Sequence, residues 1–178
     1  MNKRIFIGLD LSSEARQKLK KYCDTSFPVR WTVPENFHVT LNFLGDTDED
    51  ELERVLNTVQ QVSASFTPMQ LRVKEIKAVK YMIWAVVQPT KELELLHRKL
   101  SDELSAAGLG RRQHQSFRPH ISLARTGKEN TFSHLDFRPT QVNNVAFEVT
   151  HAVVFESILK PGGPQYISID AFEFLNEK

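Results

Sequence analysis

With one cysteine among 178 residues, the chain has no partner for an internal disulfide and no thiolate set for a metal cluster. Cys23 therefore sets redox and zinc–thiolate chemistry aside. Charge of one sign is also lacking: 23 Lys and Arg face 22 Asp and Glu, a formal net charge of +1. Such balance argues against tracking duplex DNA, which needs an electropositive face. A small phosphate-bearing substrate stays open, because net charge does not report local clusters. Strongly apolar runs are short, as in MIWAVV at 82–87, against the roughly 20 residues that cross a bilayer. The opening MNKRIFIGLD ends its apolar run at Asp10, too soon for a secretory core. A cytoplasmic protein without a membrane segment is expected. Dinucleotide-type glycine loops, Walker loops and nucleophile elbows are missing too.

The chain has 40% hydrophobic residues, enough for a sizeable core in one domain or two tightly joined lobes. Twelve Phe against two Trp and three Tyr are mostly core rings, with one or two available to line a base-binding cleft. RIFIGL at 4–9 reads as a buried strand, followed by a helix carrying Ala15, Leu19 and Tyr22. FHVTLNFLG at 37–45 reads as a strand ending at glycine. Thr47 is the expected N-cap of a helix with an apolar stripe of Leu52, Val55, Leu56, Val59 and Val62, Asp50 being a weak capping partner. Strands over 67–76 and 81–87 follow, then a helix carrying Leu93, Leu96, Leu100 and Leu104 and ending near Gly108 and Gly110. FRPHISLAR at 117–125 is a further strand, and 143–156 and 165–174 complete the set around the turn KPGGP. This order predicts an α+β fold with largely antiparallel sheets.

One internal echo carries chemistry. Pro34-Glu35-Asn36-Phe37-His38-Val39-Thr40-Leu41 parallels Phe117-Arg118-Pro119-His120-Ile121-Ser122-Leu123. In a strand, His38 and Thr40 point to one face while Val39 and Leu41 anchor the other, and the same holds for His120 and Ser122. Across a cleft the pair offers two titratable imidazoles and two hydroxyls. That kit suits the opening of a phosphodiester. A neutral histidine takes a proton from water, a protonated one gives a proton to the departing oxygen, and the hydroxyls bond the non-bridging oxygens. Arg118 and Arg125 flank the second segment. Arg125 lies an odd number of residues from Ser122, so it reaches the same face only where the strand has ended or bulged. Two histidines without a carboxylate ligand set make a poor zinc signature, and no cofactor is expected.

Taken singly, each histidine is more often structural than catalytic; the matched pair makes these two candidates. His97 lies on a leucine stripe and reads as a satisfied, partly buried side chain. His114 and His134 fall in polar connectors, and His151 reads as an edge-of-core residue in preference to a cleft neighbour. Trp31, Trp84, Phe37 and Phe43 read as packing residues. Phe6 shares a strand face with Arg4 and is the better candidate for a ring at the cleft.

At its two histidine segments the sequence resembles the two-histidine (2H) phosphoesterase superfamily. Within it, the sequence is similar to the RNA 2',3'-cyclic phosphodiesterases, historically called 2'-5' RNA ligases of the LigT/ThpR type. The likeness runs through RIFIGLDL, RWTVPENFHVTLNFLG, YMIWAVV, FRPHISLAR and VTHAVVFES. It implies a bilobal fold, with two mainly antiparallel sheets around a central cleft and helices outside. Residues 1–178 would form one catalytic domain of two pseudo-symmetric lobes. It implies a catalytic pair in His38 and His120, with phosphate contacts from Thr40, Ser122 and Arg125. The turn PGGPQY departs from the more basic turn often found before the family's tyrosine. The implied activity is metal-independent hydrolysis of an RNA terminal 2',3'-cyclic phosphate to a 2'-phosphomonoester, with reversible 2'-5' ligation as a weaker expectation. His38 is provisionally the acid and His120 the base, although the near-symmetric pair permits either order. RNA ends or nucleotides bearing the cyclic phosphate would be the partners of a monomer that takes no DNA. The alternatives are a 2H phosphoesterase for another cyclic phosphate or a 2'-5' oligonucleotide, and a non-catalytic RNA-end binding module.

Overall fold

The computed structural model describes residues 2–24, 26–110, 116–127 and 137–175; His114 and His134 lie outside them. The buried run of β1 (Lys3–Asp10) leads into α1 (Ser13–Lys20), capped by the Ser12 hydroxyl, which accepts from the Ala15 N–H. After the short β2 (Arg30–Trp31) and a 3-10 turn at Pro34–Asn36 comes β3 (His38–Thr47). Then follow α2 (Glu49–Ser63), the hairpin β4 (Met69–Val79) and β5 (Met82–Val87), and α3 (Lys91–Ala106). β6 (His120–Arg125), β7 (Thr140–Gln141), β8 (Ala146–Val149), β9 (His151–Lys160) and β10 (Gly163–Glu173) complete the described elements.

Several boundaries differ from the sequence reading: α1 ends at Lys20, short of Tyr22, and β3 runs past Gly45 to Thr47. The cap of α2 is Asp48: its carboxylate accepts the Glu51 N–H at 2.8 Å while Glu51 accepts the Asp48 N–H at 3.1 Å, a reciprocal capping box. Thr47 still belongs to β3, and its hydroxyl donates to the Gly45 carbonyl. The strand expected over 143–156 breaks at Thr150, because β8 pairs with β4 while β9 pairs with β1.

The strands pair antiparallel in the order β10-β9-β1-β3-β6-β5-β4-β7, with β2 added to β6 and β8 to β4. The half built of β10, β9, β1 and β3 meets the half built on β6, β5 and β4 through one registered pair, Val39 with Ile121. Both residues are fully buried. An antiparallel register through that pair sets His38 opposite Ser122 and Thr40 opposite His120, all on the face turned away from the core. Helical stripes cover the other face: Val55, Val59 and Val62 of α2 and Leu93, Leu96, Leu100 and Leu104 of α3 are buried, and the two helices pack on each other. Among the described residues no helix is long and apolar enough to cross a membrane.

Candidate active site

Each motif strand carries an extra residue just past its hydroxyl, and it is the same residue in both; β3 has a second one at Leu44. In β3, Ile7 pairs with Asn42 but Gly8 with Thr40, so Leu41 is unmatched. In β6, Ile83 pairs with Ala124 but Trp84 with Ser122, so Leu123 is unmatched. A bulge of one residue switches which side chains face out. Beyond it, Asn42 and Ala124 turn inward at 6% and 0% exposure, and the cleft face passes to Phe43 and Arg125. Arg125 therefore joins the His-x-Ser face. Phe43, expected in the core, is 41% exposed with the Arg4 guanidinium 5.0 Å above its ring.

A cleft of about 410 Å³ is lined by His38, Thr40, Ser122, Arg125 and Phe6, together with Arg4, Arg30, Phe43 and Tyr166. Among the described residues no carboxylate lines it. Arg4, Arg30 and Arg125 have no salt-bridge partner among the described residues. Nor, among those residues, do three His, Cys, Asp or Glu side chains cluster as a metal site. Arg118 falls outside the cleft lining: its guanidinium sits 5.9 Å from the Trp84 ring, and its carbonyl serves His120.

The two imidazoles are held alike. His38 Nδ1 lies 2.7 Å from the Asn36 carbonyl and His120 Nδ1 lies 2.7 Å from the Arg118 carbonyl, each two residues back along the chain. A carbonyl only accepts, so each Nδ1 carries a hydrogen and each Nε2 is the basic nitrogen. His38 Nε2 accepts from the Thr40 hydroxyl at 2.9 Å. The 3-10 turn that supplies the Asn36 carbonyl is fastened by Arg16, whose Nη1 donates to the carbonyls of Pro34 at 2.6 Å, Glu35 at 2.9 Å and Phe37 at 3.1 Å. Arg16 also pairs with Asp10. Its place beside the site depends on a tertiary contact between α1 and that turn, which sequence periodicity does not report.

Beneath the rings the symmetry ends. His38 sits among Phe6 at 4.7 Å, Tyr166 edge-on at 5.0 Å and Phe155 at 5.9 Å. Burial pushes its pKa down to about 4, opposed by the Asn36 hydrogen bond, while charge on His120 lowers it further. His120 instead stacks on Trp84, centroids 3.7 Å apart and planes within 13°. Its pKa is also lowered, first by burial and then by Arg125 and Arg118, against the Arg118 carbonyl. Trp84 is thus more than a packing residue. Trp84→Leu is expected to lower turnover about tenfold, the size of a desolvated cation–π contact. Trp84→Phe, which keeps an aromatic face, should recover part of that loss. Loss of the ring current at the His120 ring protons in the NMR spectrum checks the geometry.

The remaining candidates fall elsewhere. His97 Nε2 is buried without a hydrogen-bond partner, so its expected satisfaction is not found; its ring lies 4.0 Å from Phe117. His151 bonds the Thr150 hydroxyl. Cys23 is partly buried, and burial raises its thiol to about 11, which keeps it protonated.

An antiparallel sheet whose two halves meet at twin His-x-hydroxyl strands, open to a cationic cleft, is the architecture of the two-histidine phosphoesterases. Residues 33–157 match the family model of the 2'-5' RNA ligase superfamily, and the chain belongs to that family. It is 28% identical to the RNA 2',3'-cyclic phosphodiesterase of Thermotoga maritima, over 92% of this chain and 91% of the relative. A crystal structure of a Thermus thermophilus protein superposes with a TM-score of 0.85 at 23% identity, covering 98% of this chain and all of that one. LigT of Escherichia coli complexed with 3'-AMP gives 0.80 at 20% identity, with 98% and 99% covered.

Proposed function

We propose that the protein hydrolyses terminal 2',3'-cyclic phosphates of RNA to 2'-phosphomonoesters, without a metal, using His38 and His120 as an acid–base pair. The carrying observation is that the His38–Thr40 and His120–Ser122 pairs face each other across Val39 and Ile121, beside a cleft that His38, Thr40 and Ser122 line with three arginines and no carboxylate among the described residues. In this reading His120 Nε2 takes a proton from water as its oxygen bonds to phosphorus. The bond from phosphorus to O3' breaks, and His38 Nε2 delivers a proton to that oxygen. Thr40 and Ser122 hydroxyls and the Arg125 guanidinium meet the charge that grows on the non-bridging oxygens. The Trp84 face supports the imidazolium that His120 becomes, which favours this division of roles over its reverse. With a 5'-hydroxyl in place of water as the attacking group, the same steps form a 2'-5' bond; water at high concentration favours hydrolysis. We extend the reading to a monomer of the cytoplasm, one catalytic domain of two lobes, that takes RNA ends and not DNA.

Comparing kcat/KM for a 2',3'-cyclic-ended oligonucleotide, ADP-ribose 1'',2''-cyclic phosphate and a 2'-5'-linked oligonucleotide tests the assignment. The cyclic-ended RNA should lead; a clear preference for either competitor would overturn it. The pH dependence follows from the depressed imidazoles. In the empty cleft burial disfavours both charged forms, His38 being charged only below about pH 4. The profile of kcat/KM should be a bell centred on the acid side of the ordinary imidazole value. Bound phosphodiester, an anion beside His38, raises its pKa, so the basic limb of kcat should lie at higher pH than that of kcat/KM. Identical basic limbs in the two profiles would contradict the assignment of His38 as the acid.

A further inference from the structure

Arg30 stands apart from the groups used above. It pairs directly with Arg125 across β2 and β6, so the two side chains share the cleft face. Like charges directly opposite in an antiparallel pair are destabilising, and neither arginine has a carboxylate partner among the described residues. The hairpin between β9 and β10 makes room for it. A Cβ on Gly163 would lie 2.5 Å from Arg30 Nη2 and 3.3 Å from its Cζ, so any side chain there would push the guanidinium aside. Gly163 also holds φ at +123°, a conformation that other residues rarely adopt. The hairpin turns through Lys160-Pro161-Gly162-Gly163, Lys160 stays out of the cleft lining, and Asn36 ties the hairpin to the site by donating to the Pro164 carbonyl at 2.8 Å. The motif hydroxyls and Arg125 suffice for one phosphate, which leaves Arg30 beside it with its five donors unspent.

We infer that Arg30, seated over Gly163, forms a second phosphate subsite that takes the phosphodiester on the 5' side of the terminal nucleotide. The preferred ligand is then an oligonucleotide and not a mononucleotide. This rests on the reading of the cleft as an RNA-end site and adds where the chain leaves it. The small Gly162-Gly163 pair, in the segment that departs from the family pattern, is what lets a cation enter from β2.

The test is equilibrium binding of a short RNA ending in a 2'-phosphate, the hydrolysis product. It is made with either a phosphodiester or a neutral methylphosphonate at the linkage 5' of the terminal nucleotide. Wild type should bind the charged linkage about tenfold more tightly, as for a charge-assisted hydrogen bond to phosphate. In Arg30→Met that preference should shrink to within twofold, and in Arg30→Lys it should be intermediate. The salt dependence of binding to the charged RNA should become shallower by about 0.7 in log–log slope for Arg30→Met. No preference in the wild type, or an undiminished one in Arg30→Met, overturns the subsite. These outcomes are read without turnover, so failure to hydrolyse cyclic phosphate would overturn the proposed function while binding still decides the role of Arg30.

Discussion

His38→Ala and His120→Ala should each lower kcat/KM on a cyclic-ended oligonucleotide by about 10³-fold, within the range lost with one general acid or base. The two losses should not multiply. Once one proton transfer is missing, the remaining imidazole has no concerted partner, so the double variant should fall little below the weaker single one. The structure predicts that folding survives: both rings project from the non-core face of their strands, and the anchors Val39 and Ile121 are untouched. His97→Ala and His151→Ala are the matched controls and should keep near wild-type rates. Full activity in either folded single variant would exclude a two-histidine mechanism.

Gly8→Ala should cost about 100-fold in kcat/KM, the scale of a displacement of about 1 Å at a reacting group, although it removes no functional atom. A Cβ at Gly8 would lie 2.9 Å from the Val39 carbonyl oxygen, 3.4 Å from His38 Cδ2 and 3.5 Å from Phe155 Cε2. The first contact is with backbone and cannot be relieved by a rotamer change, so β3 must shift against β1 and carry His38 with it. Overpacking of this kind destabilises by roughly 1–3 kcal/mol, and far-UV circular dichroism should still report a folded protein at 25 °C. The corresponding position of the other motif is Trp84, which pairs with Ser122 as Gly8 pairs with Thr40. One half fills the space with the ring that supports its histidine, while the other leaves it vacant so that Phe6 and Phe155 can. Activity within threefold of wild type in Gly8→Ala would show that this spacing does not position His38.

Period-two alternation made the motif pairs readable, because Val39 and Ile121 alternate with the polar residues in a way only a half-buried strand explains. What alternation could not carry was the bulge. Phe43 read as core and Arg125 read as facing away for one reason: both lie beyond an unmatched leucine, and a single inserted residue inverts parity. The pattern itself held a faint trace, since Leu123-Ala124 and Leu41-Asn42 are consecutive buried residues where strict alternation allows one. Arg16, Arg30 and Tyr166 reach the site through contacts between elements distant in sequence, which no local pattern records. The helices were legible from their stripes, yet the cap of α2 fell one residue later because Thr47 completes β3. The break at Thr150 was hidden for a related reason. β8 and β9 are both strands of similar composition, and only their choice of partner separates them.

On the proposed mechanism two imidazoles open a 2',3'-cyclic phosphate toward O3'. Incubating the protein with a cyclic-ended oligonucleotide in excess EDTA, with the product identified by phosphorus NMR and mass, puts that step to the test. A gain of one water and a 2'-phosphomonoester as the sole product is the predicted result. A 3'-phosphomonoester, or turnover abolished by EDTA and restored by a divalent cation, would contradict it.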